Sequence, residues 1–139
     1  MSFRGVVAAM SMVFAFVSGC SSPPPVLPDR ANPAVKAEEA RLARAIGVDP
    51  SFVDGPGVCK VRLLRQKAAA SFVWADCIAI APVEPGAAEH TAASGPLRVD
   101  GSKVTQAGDG ISGECPALYD VFPKDLADFV CKDGYNGES

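Results

Sequence analysis

A single histidine stands in 139 residues. A serine or cysteine nucleophile needs a base, and a metal site needs several ligands, so most hydrolytic and zinc chemistries start without their parts. His90 lies among Ala, Glu and Thr with no nucleophile motif beside it, and no GxSxG, HExxH or P-loop occurs. It reads as a solvated loop residue. Basic runs are missing too, and no aromatics interleave with Lys or Arg. Nucleic acid is therefore not an expected partner, because neutralising phosphates takes clustered cations. Aromatic residues are few: one Trp, two Tyr and seven Phe, with Phe14 and Phe16 inside an N-terminal apolar run. That limits the core to a modest one. No CxxC pair exists, and no apolar run approaches the roughly 20 residues a membrane-spanning helix requires.

The longest apolar run is Val6 to Val17, twelve residues without a charge, preceded by Arg4. Its length suits the apolar core of a signal peptide. Val17-Ser18-Gly19-Cys20 follows, with two small residues in front of a lone cysteine. This stretch resembles the lipobox of bacterial lipoproteins, with Val17 where leucine is commonest. The resemblance covers residues 1 to 20. It implies that the Cys20 thiol receives a diacylglycerol and that the chain is cut just before it. Cys20 then becomes an acylated first residue, with palmitate-type chains. Buried methylenes contribute about 0.8 kcal/mol each, and two chains already anchor stably. Ser21 stands where Asp would imply retention in an inner membrane. The resemblance therefore implies, in a host with two membranes, an outer-membrane protein facing the periplasm.

Removing residues 1–19 leaves one domain's length plus a tether. It also removes Arg4, so 12 basic residues face 16 acidic ones, a charge of −4. With Cys20 set aside, four cysteines remain: Cys59, Cys77, Cys115 and Cys131. An even number in a small exported domain points to two disulfides. Zinc is the rival, without the paired spacing it needs.

Residues 20–31 read as the lipidated cysteine and a tether, extended by four prolines at about 3.1 Å per residue. Asn32-Pro33 reads as the cap and first residue of a helix that runs to Ile46 and stops at Gly47. Val35, Glu39, Leu42 and Ile46 share one side of it. Val58–Arg65 and Ser71–Ala81 read as a hairpin turning at Lys67-Ala68-Ala69. A turn centred on residue 68 places Cys59 opposite Cys77, Lys60 opposite Asp76, Arg62 opposite Trp74 and Leu64 opposite Phe72. One face then carries Cys59, Val61, Leu63, Val73, Ala75 and Cys77; the other carries opposite charges and an Arg62–Trp74 cation–π pair. This register is the basis for a Cys59–Cys77 bridge. Pro82–Gly95 reads as a loop, and Leu97–Val104 as a hairpin about Asp100-Gly101. A helical turn follows at Pro116–Asp120. A helix opening at Phe122-Pro123 then brings Cys131 back towards Cys115. The expected fold class is α+β: a small antiparallel sheet with an N-terminal and a C-terminal helix packed on one face, and two disulfides. The domain is expected over residues 32–135 and the tail over 136–139, with the chain polar and fraying from Lys132 onwards.

Gly108 to Gly113 matches G-x-G-x-x-G by letter. The motif needs a strand before it and a helix starting inside it, whereas Cys115-Pro116 interrupts at once. No nucleotide and no other cofactor is expected. Asp109, Glu114, Asp120, Asp125 and Asp128 cluster late in the chain. They are the raw material for a carboxylate hydrolase or a calcium site, although Asp125 and Asp128 also suit the first turns of a helix. Arg62, Phe72 and Trp74 form the candidate binding surface, with burial of Trp74 as core the competing reading. The leading functional reading is a membrane-anchored, non-enzymatic binding module of the cell envelope whose partner is an envelope protein or the cell wall. The alternatives are a periplasmic inhibitor of a cell-wall hydrolase and a small carboxylate-based hydrolase.

Overall fold

A computed structural model describes residues 23–53, 56–80, 92–107 and 115–137. Cys20, His90, Asp109, Glu114 and the glycine motif at 108–113 lie outside the described residues. The elements run α1 (Pro33–Gly47), β1 (Gly57–Lys67), β2 (Ala70–Ala79), β3 (Ala92–Asp100), β4 (Lys103–Gln106), α2 (Cys115–Val121) and α3 (Lys124–Cys131). The strands form one antiparallel sheet in the order β1-β2-β3-β4. The class is α+β with both expected disulfides, Cys59–Cys77 and Cys115–Cys131.

The helices do not share a face. α1 lays Leu42 and Ile46 on Val61, Leu63, Val73, Ala75, Cys77, Leu97 and Val99, the odd-numbered residues of the strands. On the opposite face Leu64, Ala70 and Phe72 pack with Leu118, Phe122, Leu126, Ala127 and Tyr135. Side chains alternate across a strand, and both sets are apolar near the hairpin turn, so each demands its own cover. The domain thus has two small cores separated by the sheet.

α1 begins as expected: the Asn32 side chain accepts from the Ala34 amide at 2.9 Å and Pro33 follows it. Its end differs. Gly47 lies within the helix and Val48 caps it in a right-handed conformation. A Cβ on residue 47 would stand 2.5 Å from the Gly57 carbonyl oxygen. Glycine is there because the helix end approaches the start of β1, rather than as a helix stop.

The hairpin register holds from Cys59↔Cys77 through Lys60↔Asp76 and Arg62↔Trp74 to Leu63↔Val73, then slips by one. Arg65, not Leu64, stands opposite Phe72. The turn is a two-residue one, Ala68-Ala69, closed by Lys67↔Ala70, and the extra residue of β1 is absorbed as a bulge at Leu64. A bulge lets two successive side chains serve one face. Leu64 is fully buried in the second core, and Arg65 reaches Asp125 on α3 from the same side.

The turn retains a defect. Ala68 sits at φ 53°, in the left-handed region where a side chain costs about 1–2 kcal/mol and which two-residue hairpin loops require. Ala68→Gly should relieve that strain at the expense of some chain entropy. A net gain of about 1 kcal/mol is expected, read as a raised urea midpoint at unchanged slope.

The segment expected as a loop to Gly95 is strand from Ala92, pairing with Ile78, Cys77, Asp76 and Ala75 in turn. Small residues give no strand signal of their own; the partner strand imposes it. Pro96 lies inside β3 opposite Trp74, yet β4 pairs only from Leu97 onwards. At Pro96 the strand is already an edge, the one setting in which proline's missing amide is harmless. Gly101, at φ 63°, turns β3 into β4.

Both ends of the described chain come back to the sheet. Leu27 packs into the second core, and the Pro28 carbonyl accepts from Arg62 Nη1 at 2.9 Å. The domain thus starts within the tether. The tail expected to fray returns as well: Tyr135 is buried, stacks on Phe129 at 4.8 Å and meets Trp74 edge-on at 5.8 Å.

Candidate functional site

Of the three residues singled out as a binding surface, Phe72 belongs to the core. It is 4% exposed and meets Phe122 edge-on at 5.2 Å. A cation–π contact does form on this face, but from Arg98, whose guanidinium lies 5.5 Å from the centre of the Phe72 ring. Arg62 is directed instead to Pro28. Nothing in the strand pattern encoded that choice, because it depends on where the tether crosses the sheet.

Arg62 and Trp74 stand opposite each other, half-buried, beneath the tether on one side and the tail on the other. Gly137 is packed against the indole so closely that a Cβ there would stand 2.5 Å from Trp74 Nε1. Arg30, Lys60, Arg62, Trp74 and Asp76 line a small pocket of about 120 Å³. Among the described residues, Arg62 Nε and Trp74 Nε1 have no hydrogen-bond partner. Among the described lining residues Arg30, Lys60 and Arg62 face Asp76, with Arg30 also paired to Glu39, a balance that suits a small anionic group.

Further along the same face, the described residues provide no cover. Val58, Ile78 and Ile80 are 62%, 56% and 59% exposed. Val58 is directly opposite Ile78, and Ile80 follows two residues on, so the three project from one side as a contiguous patch. Lys60, exposed, is the next residue of β1 on this side. Scattered apolar side chains on a surface are ordinary, whereas a contiguous group marks a contact surface. Sequence reasoning missed this patch. The signal was the hairpin register itself, which pairs Val58 with Ile78 when carried one step beyond Cys59.

Two of the late carboxylates, Asp125 and Asp128, are drawn into ion pairs. Asp125 takes both terminal nitrogens of Arg65, which holds its carboxyl below the usual range. Asp128 accepts from the Tyr119 hydroxyl and lies 3.0 Å from Lys124 and 3.5 Å from Lys132. The Tyr119 hydrogen bond, then Lys124, lowers the Asp128 pKa from 3.8 to about 2, and the same contact raises that of Tyr119. Asp120 stays exposed at the rim of an open depression of about 440 Å³ beside Lys67, Arg98 and Phe122. Among the described residues no three of His, Cys, Asp or Glu gather as a metal-binding group.

The Asp128 contacts make a pH prediction. A carboxylate whose folded pKa is depressed contributes stability that is complete above its unfolded value and lost as pH falls through the folded one. The stability gap between wild type and Asp128→Asn should therefore be constant above about pH 4 and close as the pH nears 2. Urea unfolding at a series of pH values measures it.

Compared with protein-family models, with curated proteins and with solved structures, the chain finds no match in any of the three.

Proposed function

We propose that this chain is a membrane-anchored cell-envelope lipoprotein that acts as a non-enzymatic binding module. The observation that carries the reading is the pair of disulfides, Cys59–Cys77 at the first core and Cys115–Cys131 beside the second. Bridges of this kind persist where thiols are oxidised, which is outside the bacterial cytosol. That agrees with the lipobox-like stretch ending at Cys20. Among the described residues no helix is long and apolar enough to cross a membrane; in this reading the lipid on Cys20 is the attachment. The working surface is the uncovered end of the sheet around Val58, Ile78 and Ile80, next to the cationic pocket. Asp125 and Asp128 are occupied with tying α3 to β1 and to α2.

Intact mass of the protein extracted from its own cells tests the anchor. The expected species begins at Cys20, carries acyl mass and has no free thiol. Cys20→Ala should release the domain from the membrane fraction without changing its fold. A chain still beginning at Met1 with five free thiols would overturn the reading. For the module, a photo-crosslinker at position 78 in intact cells should give discrete adducts, and one at Ala37 on the far face should give none.

A further inference from the structure

Building on the reading of Cys20 as a lipid anchor, we infer that the uncovered end of the sheet docks on the bilayer holding that anchor. Val58, Ile78 and Ile80 enter the interfacial region, and Lys60 meets anionic headgroups.

The tether decides the direction. It leaves the domain across the same sheet face that bears the patch: Leu27 packs into the core on that face, and the Pro28 carbonyl is held by Arg62. Cys20 stands seven positions before Leu27, a span of about 20 Å at the polyproline rise. Val58 is four residues along β1 from Arg62, about 13 Å. Leu27 itself packs in the core of Leu64, six residues along β1 from Val58 or about 20 Å, so the patch lies within about one tether length of the place where the tether leaves the face. The anchor holds this face within reach of the bilayer at high effective concentration, so a small apolar contact suffices. The opposite face of the sheet is under α1, and the hairpin-turn end of this face is under α2 and α3. What remains is a short apolar edge with a cation beside it, the combination that rests at a lipid–water boundary. Lys60 is next to the patch, and Arg30 and Arg62 line the adjoining pocket, where a headgroup phosphate finds cations. Among the described residues that line the pocket, Asp76, opposite Lys60, is the acidic one.

The test uses full-length protein with its native lipid, reconstituted in vesicles of phosphatidylethanolamine and phosphatidylglycerol containing brominated acyl chains. Trp74, the only tryptophan, lies under the tail and gives the baseline. Ile78→Trp should show fluorescence reduced about twofold by brominated lipid. Ala37→Trp, on exposed α1 across the sheet, should stay at baseline. Adding Lys60→Glu to Ile78→Trp should weaken the quenching. Equal quenching of Ile78→Trp and Ala37→Trp, in protein that still floats with the vesicles, overturns the docking and leaves the anchor standing. The patch is then covered by residues 81–91 or by a second copy, and sedimentation without vesicles separates these two. Protein that fails to float and has an unmodified Cys20 overturns anchor and docking together.

Discussion

Replacing Cys59 and Cys77 together by alanine should lower the unfolding free energy by about 3 kcal/mol, and the same change at Cys115 and Cys131 by a similar amount. The bridged residues are 18 and 16 positions apart, so each bridge removes a comparable amount of freedom from the unfolded chain. The effect is large because of how the apolar residues are divided. A domain of about 100 residues is stable by only about 5–15 kcal/mol in total. Here the burial is split between two small cores on opposite faces, and the first has no aromatic but Phe52 at its margin. Cys77 packs with Leu42 and Ile46 in the first core, while Cys131 packs against the second. With all four cysteines replaced, the domain should be unfolded at about 37 °C. Urea denaturation of the three variants against the oxidised parent measures this. The reduced parent should match the fourfold variant.

Glu39→Ala should cost about 2–3 kcal/mol and, in addition, make the protein self-associate. The reason lies in the class of strand pair that brings Cys59 and Cys77 together. Their Cα atoms are 4.1 Å apart, the spacing of the close pairs of an antiparallel ladder that exchange no hydrogen bonds. Val61 and Leu63 belong to the same class by alternation. Their amide and carbonyl groups point away from β2, out of the sheet at its edge. Such groups are a template for a further strand. The buried Glu39 carboxylate receives the Leu63 amide at 2.9 Å, and Arg30, 3.3 Å from that carboxylate, donates to the Val61 carbonyl at 3.4 Å. One ion pair thus closes the centre of the edge. Removing the carboxylate leaves a buried amide without its acceptor and frees Arg30. Arg30→Ala should cost less than about 1 kcal/mol, since half its side chain is in water. Glu39→Gln keeps an acceptor and should fall between the two. Urea unfolding gives the stabilities, and light scattering at rising concentration gives the association.

The helix position of Glu39 was legible in advance: it shares a side with Val35, Leu42 and Ile46. A carboxylate on an apolar face announces a buried partner, but periodicity cannot name one, because the partner is a backbone amide 24 residues away. The same limit explains the bulge. Alternation and a turn centre set the register from Cys59 to Leu63, and then a turn one residue tighter than its chemistry favours pushed the surplus residue into β1. Phe72 was misjudged for a related reason. A strand pattern tells which residues share a face; it does not tell whether that face meets water or a second layer.

Local chemistry was enough for several things. The Asn32-Pro33 cap, the hairpin pairing, the Asp-Gly turn and both disulfide partners follow from side-chain geometry and spacings of a few residues, which the chain carries in linear order. Only the folded domain decided that helices cover both faces, that tether and tail close over Arg62 and Trp74, and that the described residues leave Val58, Ile78 and Ile80 bare. Those outcomes rest on burial between segments far apart in the chain, where many weak apolar contacts compete. The winner is set by the shape of the assembled whole rather than by any one stretch.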